Sequence, residues 1–195
     1  MIDLAMLSQA LPFIGKLDHA DILSFIDHTD FIQLNAQEVF LKAGSEKSHV
    51  YFIKQGLIRS FYIDEQGEEI TNLLRYEYQV FAPYEVVFLQ QPSRFSFQAL
   101  EYTELLAIDY NALRQIIGAN TNFEEGRRFF INAILAETLT SLNDFILLNP
   151  EERYIKFVKE HPELLNRVPI KYIANVLGVT PVSLSRIRKR ISQRK

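Results

Sequence analysis

Eight basic side chains fall within residues 165–195, and no acidic one does. Arg167, Lys171, Arg186, Arg188, Lys189, Arg190, Arg194 and Lys195 can neutralise phosphate charge. A guanidinium can also donate two parallel hydrogen bonds to guanine O6 and N7. The segment Ile170–Arg190, IKYIANVLGVTPVSLSRIRKR, supplies a frame for that chemistry. Ile170, Ile173, Ala174 and Leu177 are spaced for one buried helix face. Gly178 stands where this first helix must stop in a left-handed residue. Val179 is apolar in the turn, and Thr180-Pro181 reads as an N-cap followed by a first-position proline. Leu184 and Ile187 then face inward on a second helix. This is the helix-turn-helix pattern: the small Ala174 lets the helices cross closely, glycine permits the turn, and the apolar pairs hold the crossing.

The outward positions of the second helix are Val182, Ser183, Ser185, Arg186, Lys189 and Arg190. In such a motif these enter the major groove of double-stranded DNA. Arg186 is the candidate for guanine, and Val182 can touch a thymine methyl. Ser183, Ser185, Lys189 and Arg190 suit phosphate or water-mediated contacts, which position without specifying. Thr180 caps the helix, and the same hydroxyl can lie near a phosphate. Arg194 and Lys195 read as tail charges.

The remainder of the chain must place this reader. At 195 residues and 48% hydrophobic side chains, it makes one large domain or two small ones. Its formal charge of −3 is an average of unlike parts. Residues 1–149 hold 10 Lys+Arg against 20 Asp+Glu, a net −10; residues 150–195 hold 11 against 4, a net +7. With no cysteine there is no disulfide, thiolate zinc site, cysteine nucleophile or cysteine-bound iron–sulfur cluster. The charge-free stretch Leu4–Gly15 is too short to span a bilayer. No basic residue precedes Lys16, so a charged signal-peptide start is missing and a cytoplasmic location is expected. His19, His28, His49 and His161 are scattered, and no metal site is expected. A cupin-like metalloenzyme would need clustered His and carboxylates on facing strands, and the β-region holds only His49.

Residues 1–28 carry apolar side chains at helical spacing, broken by Pro12 and Gly15. From about 31 to 108, short Val-, Ile-, Phe- and Tyr-rich runs alternate with turns at Gly44, Gly56 and Gly67. Seven strands are expected: 31–34, 39–41, 50–54, 57–63, 68–74, 95–100 and 104–108. Their shortness and regularity point to a sandwich or barrel, not a parallel βαβ sheet. Residues 109–148 are helical again, with Ile131, Ile134, Leu135, Thr138, Leu142, Phe145 and Ile146 on one stripe. That stripe serves either dimerisation or packing on the β-domain. At Asn149-Pro-Glu-Glu152 an N-cap, a first-position proline and first-turn acids restart the chain, and the charge changes sign there. The domains expected are 1–120, the long helix 121–148 and 149–195.

This order of elements resembles the CRP/FNR superfamily of bacterial transcription regulators. Val50–Arg59 is similar to that family's central hairpin, and Asp64–Gly67, Ala99–Glu101 and Glu104–Leu106 to the strands that follow. Glu152–Tyr154, Val168-Pro169 and Leu184–Arg188 resemble its short-chain branch. The resemblance implies an α+β chain: an N-terminal cyclic-nucleotide-binding-like β-roll (a double-stranded β-helix) with flanking helices, a long dimerisation helix and a C-terminal helix-turn-helix. It implies a parallel homodimer reading a palindromic operator with half-sites ~34–36 Å apart, and RNA polymerase as a further partner. Ile131, Ile134, Leu135, Thr138, Leu142 and Phe145 would form the dimer contact. Control by cAMP does not carry over. The family's phosphate-binding Gly-Glu falls on Ala82-Pro83, and its Arg on Ser93, with Arg94 one place off. Proline lacks the N–H that an anion nest would use. For an unidentified small-molecule effector, Arg75, Tyr84, Glu85 and Arg94 are the polar candidates. Val182 stands where relatives often carry an acidic residue, so a different operator is expected. The chain ends soon after the second helix, so no β-wing is expected. A β-roll sensor acting through protein contacts alone is the runner-up; it leaves the helix-turn-helix spacing unexplained.

Overall fold

The computed structural model describes residues 19–118 and 121–194; the helical reading of residues 1–18 lies outside them. The chain divides into two compact units. One comprises Met1–Tyr62 and Leu74–Ala133, the other Ile63–Leu73 and Ile134–Lys195.

Eight strands form two four-stranded sheets, all but residues 63–73 of them within the first unit. The strands are β1 (Thr29–Leu34), β2 (Val39–Leu41), β3 (His49–Gln55), β4 (Leu57–Ile63), β5 (Glu69–Tyr76), β6 (Val80–Phe81), β7 (Ser96–Ala99) and β8 (Thr103–Asp109). They are ordered β1-β8-β3-β6 and β2-β7-β4-β5. The register is antiparallel, with β1 running from Thr29 opposite Ile108 to Leu34 opposite Thr103. On β3, Tyr51 faces Ala107 and Ile53 faces Leu105. These residues, with Leu34, Leu41, Ile58, Phe81, Phe97 and Ala99, form the core between the sheets. Four rings fill its centre: Phe81 stacks on Tyr51 and on Phe97 at 5.1 and 5.5 Å, and Phe40 meets Tyr51 edge-on at 5.4 Å. Such offset and edge contacts add to the burial energy of each ring.

Gly56 makes the β3–β4 turn at φ 102°. A Cβ there would lie 2.3 Å from Thr103 Oγ1 and 2.7 Å from Thr103 Cα, so both backbone angle and space demand glycine. Strand β4 is buried along five consecutive residues, Leu57–Phe61, and Arg59 is only 1% exposed among them. Its guanidinium donates from Nε to Gln98 Oε1 at 2.6 Å and lies 4.2 Å from the Phe61 ring centroid. A buried charge of this kind survives only with such partners.

The seven expected strands are present within two residues of their expected ends, and two further elements appear. The two-residue β6 and the helix Tyr84–Leu89 occupy a stretch with no strand or helix period to read. That helix follows Pro83 and has no side-chain cap, so the usual start signal is missing. In chain order the helices are α1 (His19–Asp27), α2 (Tyr84–Leu89), α3 (Tyr110–Gly118) and α4 (Thr121–Leu147). The 109–148 region is therefore two helices, and α4, at 27 residues, is about 40 Å long.

The second unit contains α5 (Pro150–Glu160), a 3₁₀ turn (Pro162–Asn166), α6 (Ile170–Val176) and α7 (Pro181–Ser192). Its core is Tyr154, Phe157, Leu164, Val168, Ile173, Ala174, Leu177, Leu184 and Ile187, each at most 8% exposed. Residues 63–73 belong to this unit: Lys171 Nζ lies 2.9 Å from Glu68 Oε2, and Thr71 N–H donates to Asn175 Oδ1 at 3.2 Å. Among the described residues no helix is long and apolar enough to cross a membrane.

Candidate nucleic-acid interface

Three local devices fix the helices that carry the basic side chains. Asn149 caps α5, its side chain accepting from Glu151 and Glu152 N–H, while Glu152 Oε2 accepts from Asn149 N–H at 2.8 Å. This reciprocal capping box satisfies donors that a bare helix start would leave open. Gly178 ends the turn after α6 at φ 66°, and its N–H donates to Asn175 O at 2.9 Å. Thr180 Oγ1 accepts from Ser183 N–H at 3.1 Å and so caps α7. Its hydroxyl also donates to Ser183 Oγ at 2.9 Å, which makes the threonine's role in the free protein a structural one.

Leu184 and Ile187 are 0% and 5% exposed and pin α7 to the second unit's core. The opposite side is open: Val182, Ser183, Ser185, Arg186, Lys189 and Arg190 are all exposed, with Val182 at 61%. The six outward positions expected from the spacing are thus brought onto one solvent face. A groove of about 1100 Å³ runs beside it, lined by Asn149, Glu151, Thr180, Ser183, Arg186 and Arg190 among others. Glu151, two places past the cap, holds one arginine of α7 and one just beyond its end. Its Oε2 lies 2.9 Å from Arg190 Nε, and its Oε1 accepts from Arg194. Arg194 is therefore a partner in an ion pair rather than a loose tail charge. The sequence named Glu151 only as a first-turn acid; nothing in its spacing marked the pairing.

The stripe on α4 is apolar and open to solvent. Ile131, Leu135, Leu142 and Phe145 are 37–54% exposed, Ile134 is half-buried, and Thr138 donates its hydroxyl to Ile134 O at 2.8 Å. Leu139, 50% exposed, belongs to the same stripe and continues the period from Leu135, so the spacing alone could have found it. Phe145 departs from the others: its ring edge lies against Gly178, where an added Cβ would approach Cε1 to 2.6 Å.

Of the four effector candidates, three come together. Arg94 Nε donates to Glu85 Oε1 and its NH2 to Tyr84 Oη, both at 3.2 Å. Arg75 stands on β5, where its guanidinium donates to Leu74 O. Glu85 is 2% exposed, and its Oε2 is buried without a hydrogen-bond partner. The Arg94 pKa is raised, first by its bond to Tyr84 and then by that to Glu85. Ser93, in the family's arginine place, is buried and engaged by its neighbours: its hydroxyl donates to Phe95 O, and its carbonyl accepts from Gly44 N–H. These residues do not fit a cyclic phosphate held in the family's manner. Among the described residues no group of three or more His, Asp or Glu is placed to hold a metal.

The first unit has the fold of a cyclic-nucleotide-binding β-roll with flanking helices, and residues 31–120 match the family described as Cyclic nucleotide-binding domain. Solved structures share this architecture over most of the chain. FixK2 from Bradyrhizobium japonicum superposes with a TM-score of 0.72 at 16% identity, covering 85% of each chain. A double mutant of CooA from Carboxydothermus hydrogenoformans gives 0.70 at 15% identity, covering 94% of this chain and 84% of its own. A protein from Eubacterium rectale described as a transcriptional regulator of the CRP/FNR family gives 0.73 at 13%, covering 95% and 88%. At such identities the likeness establishes the fold. A search of the curated proteins finds no match to the chain.

Proposed function

We propose that this protein is a homodimeric, sequence-specific DNA-binding transcription regulator of the CRP/FNR type and not an enzyme. The observation that carries the reading is the two-sided α7. Leu184 and Ile187 anchor one side, while Val182, Ser183, Ser185, Arg186, Lys189 and Arg190 are exposed on the other, with Arg190 paired to Glu151. A capped helix that presents a cationic, hydrogen-bonding face clear of its own core is what major-groove reading requires. Arg186 reads guanine; Ser183, Ser185, Lys189 and Arg190 position the backbone, with Thr180 beside them. The half-exposed leucines of α4 supply the dimer contact, in the manner of two long helices packed on their apolar stripes. The domains follow as a sensor over 1–120, a dimer helix over 121–148 and a reader over 149–195.

The β-roll is not under cAMP control. Pro83 offers no N–H, and the buried Ser93 offers no charge to a phosphate. Binding to random-sequence duplexes, followed by selection, tests the whole reading. The expected result is a palindromic consensus whose affinity falls steeply with salt. Arg186→Ala should lose about 1–3 kcal/mol of discrimination at one base pair per half-site. Full selectivity in that variant would remove α7 as the reading element, and the absence of any DNA binding would favour the protein-contact sensor.

A further inference from the structure

At the joint between α4 and the helices after it, one guanidinium makes three contacts. Helix α4 ends at Leu147 and α5 begins at Pro150, so only Leu148 and Asn149 separate them. The last carbonyls of a helix have no partners within it. Arg153 supplies one: its NH1 donates to Leu148 O at 2.7 Å. From the same guanidinium, Nε donates to Leu177 O at 3.1 Å, and Leu177 is the C-cap of α6. The plane of the group lies over the Phe145 ring, 4.8 Å from its centroid. Phe145 in turn closes on Gly178, leaving no room for a Cβ there. One guanidinium therefore ties the last turn of α4 and the chain just beyond it to the end of α6, with α5 as its base. A second tie, from Lys156 to Asp144, joins α5 to α4 alone.

We propose that Arg153 is a positioning residue: it fixes the angle at which α6 and α7 leave α4. It thereby sets the half-site spacing that the dimer accepts. The inference rests on the DNA-binding reading above. Its chemical basis is the geometry of arginine. Donors on two edges of a planar group can serve two carbonyls that diverge, while the face stacks on an aromatic ring. A lysine ammonium can keep one of these three contacts at full strength. The angle matters because a rigid dimer docks both reading helices together, and a loosened joint pays for its freedom on binding.

The test uses the full chain and operator duplexes whose half-sites are separated by different numbers of base pairs, with a single half-site duplex as reference. Wild type should prefer one spacing sharply. Arg153→Lys should broaden that preference by one base pair or more and weaken binding at the best spacing roughly tenfold. Its half-site affinity should stay at the wild-type value. Lys156→Met, which cuts the second tie, controls for general loosening and should keep the sharp preference. An unchanged spacing profile in Arg153→Lys overturns the proposal. So does an equal loss on half-site and full-site DNA, because Arg153 would then merely support the reading helix. If wild type binds none of the duplexes, the DNA-binding reading itself fails, a result that is separable from either of these.

Discussion

Burial inside the β-roll pushes the Tyr51 phenol from 10.0 up to about 12. Desolvation is the cause: the core that holds the ring disfavours the phenolate. In the unfolded chain the same group ionises near its ordinary value. The sign follows. The contribution of Tyr51 is intact below about pH 10 and is lost as pH rises through about 12, because the unfolded state there gives up a proton that the folded state retains. The loss is on the order of 2–3 kcal/mol at the alkaline end. Urea unfolding followed across this window should fall more steeply for wild type than for Tyr51→Phe; parallel curves would place the phenol in a wetter site. Residues with local jobs were legible in the sequence in this same physical sense. Gly178, Thr180 and Asn149 act on atoms within four residues of themselves, so their type and offset declared them. Arg153, Arg59 and Glu151 were not legible. Their partners Leu177, Gln98 and Arg194 lie 24, 39 and 43 residues away, and no local pattern encodes a contact of that reach.

At the scale of elements, α4 carries the sharpest expectation. Ile131, Leu135, Leu139, Leu142 and Ile146 lie four, four, three and four residues apart, all exposed. That spacing suits the seam of the proposed two-helix coil, where burying each leucine would be worth about 1.5–3 kcal/mol. Replacing Leu135 and Leu142 together with Glu places four carboxylates in the dimer seam. Sedimentation equilibrium should show the dissociation constant rising by roughly three orders of magnitude or more. The circular dichroism of the helices should be retained. A dimer undisturbed by the pair would locate the interface elsewhere. The period of α4 was readable because a long helix repeats its signal many times. Strand β6 and helix α2 were not: two and six residues are too few to display a period, and what holds them is distant in sequence, the pairing of β6 with β3 and the core burial of Phe81 and Val87.

For the molecule as a whole, the charge asymmetry makes a claim that neither end makes alone. A chain of net −3 would be a poor ligand for a polyanion, but the −10 and +7 portions act over different distances. The proposed contacts from α7 to phosphates would release counterions, so the affinity they supply would fall with salt. Repulsion between DNA and the acids of the first 149 residues acts through solvent. It fades beyond the Debye length of about 10 Å at 0.1 M salt. The ratio of variant to wild-type affinity at each salt concentration therefore isolates the repulsion. Asp27, Asp30 and Glu46 are exposed acids of the first unit and lie in none of the proposed contacts. Replacing them with Asn, Asn and Gln should raise affinity for random-sequence DNA several-fold near 0.03 M salt and hardly at all near 0.3 M. The consensus selected from random duplexes should be unchanged, since these residues carry no base contact. Fluorescence anisotropy over that salt range measures both limits. If the triple variant binds random DNA no better at low salt, the acidic portion does not repel DNA. The low net charge would then be a matter of solubility alone, and discrimination against random DNA would rest entirely on α7.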